Sequence, residues 1–160
     1  MQFDDEADPI DRATVAILHI LGTQWSDYAA VAINEPYERA VTRLVNAGLV
    51  EAAGVLAFMS PGIATRLVVE ARWSGRIAMD QLGAITAAVP EWFENGKHKG
   101  RVAIHPTLSR VRLTSIGITA QGDIRSPERQ HIVLTLLGRG ASEQGSLHVD
   151  TQRIERPLSS

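Results

Sequence analysis

Apolar residues recur at Ile10, Ala13, Thr14, Ile17, Leu18 and Leu21, the three-and-four spacing of an amphipathic helix. Pro9 stands in its first turn, Asp8 or Asp11 can cap it, and Gly22 closes it. Ser26-Asp27 then caps a shorter helix running to about Ile33, so rich in Ala, Val and Ile that it is expected to be enclosed. Asn34-Glu35-Pro36 opens a third helix with a cap-type residue and an early proline. Its apolar stripe is Tyr37, Val41, Leu44 and Val45; Glu38, Arg39, Thr42, Arg43 and Asn46 form the opposite, polar face. Gly48 suits a left-handed C-terminal cap, and Leu49 to Ala52 leaves as a strand.

Beyond this the period changes. Gly54 to Met59 is a short apolar run stopped by Ser60-Pro61-Gly62. Arg66 to Trp73 alternates, with Leu67, Val69, Ala71 and Trp73 on one side, which predicts a half-buried strand. Ile77, Leu82, Ile85 and Val89 predict a helix that ends before Pro90 or near Phe93, followed by a loop at Gly96 to Gly100. His131 to Leu137 is an apolar run read as a strand, Gly138 to Gly145 a loop, and Leu147, Val149 and Thr151 alternate after it. The expectation is a C-terminal β-hairpin that pairs with the strand at 66–73 and packs on the helix from about Ile77.

Two segments carry a family likeness. The first is the run Glu38-Arg39-Ala40-Val41-Thr42-Arg43-Leu44-Val45-Asn46-Ala47-Gly48-Leu49-Val50-Glu51, and the second is Val111-Arg112-Leu113-Thr114-Ser115-Ile116-Gly117. They resemble the end of the recognition helix and the strand-to-helix phrase after the wing in the winged helix-turn-helix superfamily. The resemblance covers residues 10–52 and, more loosely, 108–124, with about sixty residues between Leu49 and Leu113 where a simple wing is far shorter. It implies an α+β fold: a winged helix-turn-helix with an inserted strand-helix segment and a C-terminal β-hairpin. The organisation expected is an acidic flexible tail (1–8), a helix-turn-helix core (9–53), an insertion of strands and one helix (54–107), and a last part (108–160) with the wing strand, a short helix and the hairpin, packed as one domain with the rest.

Composition narrows the class. At 160 residues, 44% hydrophobic and 21% charged, the chain has a globular balance and can build its own core. The absence of cysteine excludes a disulfide framework, thiolate metal sites and a cysteine nucleophile, and agrees with a cytoplasmic location. The start carries Asp4, Asp5, Glu6 and Asp8 without a basic residue, the reverse of a secretory leader, and no apolar run approaches the roughly 20 residues that span a bilayer. A soluble protein with no membrane partner is expected.

Charge is unevenly placed. From Asn95 to Gly122 there is no acid, while Lys97, Lys99, Arg101, Arg110 and Arg112 all fall there. By the resemblance, the third helix enters the major groove of double-stranded DNA with Glu38, Arg39, Thr42, Arg43 and Asn46, and the acid-free stretch supplies phosphate contacts. Against this, Glu35, Glu38 and Glu51 repel phosphate. The alternative is an adaptor or accessory subunit that turns the same module on a protein partner or a second copy, with Trp92 and Phe93 as anchors and Trp73 in the core.

No chemistry of catalysis emerges. His19, His98, His105, His131 and His148 form no ligand phrase, although His131 and His148 would face each other across the expected hairpin. Gly138-Arg139-Gly140 lacks the third glycine of a dinucleotide loop, and no serine stands in a nucleophile elbow. No metal, cofactor or enzymatic activity is expected.

Overall fold

In the computed structural model, Asp8 accepts a hydrogen bond from the Ile10 amide at 2.7 Å, which makes it the cap of helix α1 (Pro9–Ile20). Residues 8–60, 62, 64–139 and 145–156 are described. The expected acidic tail, save Asp8, and most of the loop expected at 138–145 lie outside the described residues.

After α1 comes a two-residue strand, β1 (Ser26–Asp27), then a single-turn helix α2 (Tyr28–Val31) and helix α3 (Glu35–Asn46). The longer, enclosed second helix expected from Ser26 to Ile33 is not formed. Ser26 and Asp27 pair with Val111 and Arg110, and within 28–33 only Val31 is buried, while Ile33 is 64% exposed. Backbone pairing to a distant strand overrides the local helical tendency here.

Gly48, at φ +84°, turns the chain from α3 into β2 (Val50–Met59), which absorbs both the expected strand at Leu49 to Ala52 and the apolar run after it. Strand β3 (Arg66–Ser74) returns beside it. Helix α4 (Met79–Thr86), a 3-10 turn (Pro90–Trp92) and a small hairpin of β4 (Phe93–Glu94) and β5 (Lys97–His98) follow. Then come β6 (Ala103–Leu113), α5 (Ser115–Asp123), α6 (Pro127–Arg139) and β7 (Ser146–Glu155). Among the described residues one five-stranded antiparallel sheet forms, in the order β1-β6-β2-β3-β7.

The C-terminal hairpin is corrected by the structure. Its first arm, His131 to Leu137, lies inside α6, and β7 pairs with β3 alone. The pairing of β7 with the strand at 66–73 is as expected. The helix has a physical basis in the sequence: Pro127 stands at its start with Glu128 in the first turn, and the buried or half-buried Gln130, Val133, Leu134 and Leu137 follow helical spacing. His131 and His148 therefore do not face each other.

One face of the sheet carries the core. Val50, Ala52, Leu56 and Phe58 of β2, Leu67, Val69, Ala71 and Trp73 of β3, and Val111 and Leu113 of β6 are buried in one cluster with Ile17 and Leu18 of α1 and Val41, Leu44 and Val45 of α3. Each Val, Leu, Ile or Phe side chain of this set contributes about 1.5–3 kcal/mol by leaving water, and this burial fixes which side of α3 is left facing out. The other face of the sheet bears Glu51, Arg66, Glu70, Arg72, Arg110, Arg112 and Arg153 by strand alternation. Among the described residues no helix is long and apolar enough to cross a membrane.

Candidate nucleic-acid interface

The third helix is set by its ends and its floor. The Asn34 side chain accepts from the Tyr37 amide at 3.3 Å, Pro36 occupies the first turn, and Ala40, Val41, Leu44 and Val45 are docked. Glu38, Arg39, Thr42 and Asn46 are all exposed on the outer side. Thr42 donates to the Glu38 carbonyl at 3.2 Å, and Arg39 meets Glu35 one turn back at 2.9 Å. Both partners of that pair are solvated, at 65% and 71% exposure, so it holds Arg39 only weakly. Tyr28 of α2 lies beside this row: burial, and then the Glu38 carboxylate, raise its phenol above the ordinary value.

Arg43 departs from the expected set. Its guanidinium donates to Asp11 of α1 at 2.6 Å, and its side chain is 24% exposed. Gly138, near the end of α6, approaches the same guanidinium. Arg43 is thus a tie between helices, and the outward row is Glu38, Arg39, Thr42 and Asn46.

The acid-free stretch is split by β6. Arg110 and Arg112 lie near its end, opposite Ala53 and Glu51 of β2, with their guanidinium carbons 5.1 and 4.1 Å from the centre of the Trp25 ring. Arg112 also pairs with Glu51 at 2.7 Å. Lys97, Lys99 and Arg101, all exposed, sit at or just before the opposite end of β6, some 20 Å away along the strand. The five basic residues do not form one patch. Sequence reasoning missed Trp25, which falls outside every periodic stripe; its only signal is a lone aromatic in the turn after Gly22.

The expected partner anchors behave differently from each other. Trp92 is fully enclosed, with its indole Nε1 unpartnered among the described residues, so it belongs to the core and presents no surface. Phe93 is half-buried and packs its ring 4.5 Å from that of His98, whose Nε2 lies 3.0 Å from the Thr86 hydroxyl. Trp73 is buried, as expected. Large apolar side chains are exposed instead at several places, Ile20, Ile33 and Ile116 among them, and Ile132 and Leu136, 56% and 58% exposed, lie one turn apart on α6.

Elsewhere the polar groups satisfy one another. A shallow cavity of about 320 Å³ on the open sheet face is floored by Val55 and Val68. Its walls are self-paired: Arg66 and Arg153 both reach Glu155, and Thr151 donates to Glu70 at 2.9 Å. His19, His105, His131 and His148 are exposed, and among the described residues no three metal-ligating side chains converge. Comparison of the chain with protein-family models, with curated proteins and with solved structures finds no match.

Proposed function

We propose that this chain is a non-enzymatic DNA-binding protein of the winged helix-turn-helix type, acting as a transcriptional regulator or a DNA-associated accessory factor. One observation carries the reading: α3 is docked by Ala40, Val41, Leu44 and Val45 while Glu38, Arg39, Thr42 and Asn46 form an exposed row. A groove-reading helix needs this combination of a fixed back and a polar, unobstructed front. Arg can bridge guanine O6 and N7, and Asn can pair with adenine N6 and N7. The strand order β1-β6-β2 beside three helices supports the winged arrangement, with β6 as the wing strand returned after a long insertion. The lack of cysteine suits a reducing compartment such as the cytoplasm.

The test is retardation of a random-sequence duplex pool across a salt series. Affinity should fall steeply with ionic strength, and Arg39→Ala should weaken it. Indifference to duplex at low salt would sink the reading. A second reading, an adaptor that docks on protein, is favoured by the exposed Ile132 and Leu136 on α6. It expects a stable complex with a larger protein that survives nuclease and is lost in Leu136→Glu.

A further inference from the structure

We infer that Arg110, laid on the indole of Trp25, contacts a phosphate of the nucleic-acid backbone, with Trp25 as its positioning residue; the inference rests on the DNA-binding reading above.

The two guanidinium groups on this ring are not equivalent. Arg112 has its charge met by Glu51 at 2.7 Å. Arg110 is exposed and makes no ion pair among the described residues, although Asp27 lies opposite it across β1 and β6. The corner therefore holds two arginines and two carboxylates, and Arg110 is the guanidinium of the pair that touches neither carboxylate. The ring under it does more than fill space. An arginine on a free surface loses much rotamer freedom when it binds, whereas one already stacked on an aromatic face loses less. Its planar donors stay directed outward, in the form that suits a phosphate.

The location matches the role. Asp27, the strand partner of Arg110, directly precedes α2, and α2 packs against β6. Tyr28, the first residue of α2, is near enough to Glu38 for that carboxylate to act on its phenol. The surface thus runs from Arg110 through Asp27 and Tyr28 to the outward row of α3. In a helix-turn-helix the helix before the reading helix crosses the phosphate backbone. Arg110, on β6, lies across from Asp27, the residue that precedes that helix.

A single phosphate contact contributes about 0.9 to the slope of log affinity against log salt. Arg110→Ala is expected to lower the slope by about that amount and to weaken binding to every duplex in the pool alike. Trp25→Leu leaves the charge count unchanged yet should move affinity in the same direction, and Trp25→Phe, which keeps a ring, should restore most of it. Trp73 and Trp92 are buried, so the half-buried Trp25 is the most accessible indole of the three, and duplex should shield its fluorescence further from a soluble quencher. The proposal is overturned if Arg110→Ala keeps the slope and affinity while Arg39→Ala loses them, a result that leaves the DNA reading standing. It is equally overturned if Trp25→Leu binds as tightly as the parent, or if duplex leaves the quenching unchanged. A parent protein that ignores duplex overturns both readings.

Discussion

Arg43, on the inward-leaning side of α3, donates to the carboxylate of Asp11 on α1 at 2.6 Å, across 32 positions of sequence. This contact removes from the reading face a residue that the helical pattern alone places there, and it makes α1 the strut that sets the angle of α3. Losing the pair is expected to cost about 1 kcal/mol, because charge-assisted bonds are stronger than neutral ones but partial exposure screens them. Asp11→Asn should therefore lower the urea midpoint modestly while raising duplex affinity, since it frees Arg43 and deletes an acid. A drop in both would show that the tie, rather than the free arginine, is what binding needs.

Two glycines of α5 should respond in opposite ways to the same substitution. A Cβ on Gly117 would fall 2.0 Å from the Leu49 carbonyl oxygen and 3.0 Å from Leu113, so helix and sheet would have to part. Gly117→Ala should destabilise by about 1–3 kcal/mol, in the range of overpacked cores. Gly122 has open space where its Cβ would be, and Gly122→Ala should stabilise by roughly 0.5–1 kcal/mol through helix propensity. Urea unfolding of the two variants checks both signs.

Trp92→Ala should act on stability rather than on assembly. The side chain is wholly buried, and removing an aromatic of this size costs about 3–5 kcal/mol. Phe93→Ala, at a half-buried site against His98, should cost less. Thermal melts rank the two. A Trp92→Ala protein that melts like the parent would contradict the enclosed position.

Acid should loosen the ion pairs at the end of β7 and beyond it. A hydrogen bond from Arg156 lowers the Glu91 carboxyl, and one from Arg153 lowers Glu155, each below the ordinary carboxylate value. A carboxyl depressed in the folded state contributes stability that is present above its unfolded value and is lost as pH falls through the folded one. Proton titration followed by NMR should place Glu91 low in the parent and return it upward in Arg156→Ala. Equal titration in the two proteins would remove the contact.

Periodicity made α1, α3 and β3 legible, because an amphipathic element prints its buried face on its own sequence. Val41, Leu44 and Val45 are spaced by the helix they belong to, and Leu67, Val69, Ala71 and Trp73 by the strand. The same signal misled at 131–137. After His131 its run of Ile, Val and Leu is broken only by Thr135, too little to tell burial on one side from burial on both, and strand composition outweighed the helical spacing of Gln130, Val133, Leu134 and Leu137. Residues 26–33 failed for a different reason: β1 exists only because β6, more than eighty positions later, offers it hydrogen bonds.

The chain on its own determined that α3 has one greasy and one hydrophilic side, that no thiol chemistry is available, and that basic residues gather after Asn95. Only the tertiary structure decided which of those charges remain free. Arg43 met Asp11, Arg112 met Glu51 across 61 positions, and Arg110 found the face of Trp25 instead of a carboxylate. The physical reason is range: a hydrophobic period is a property of neighbours on one element, whereas the fate of a charge depends on what distant segments bring within a few ångströms of it.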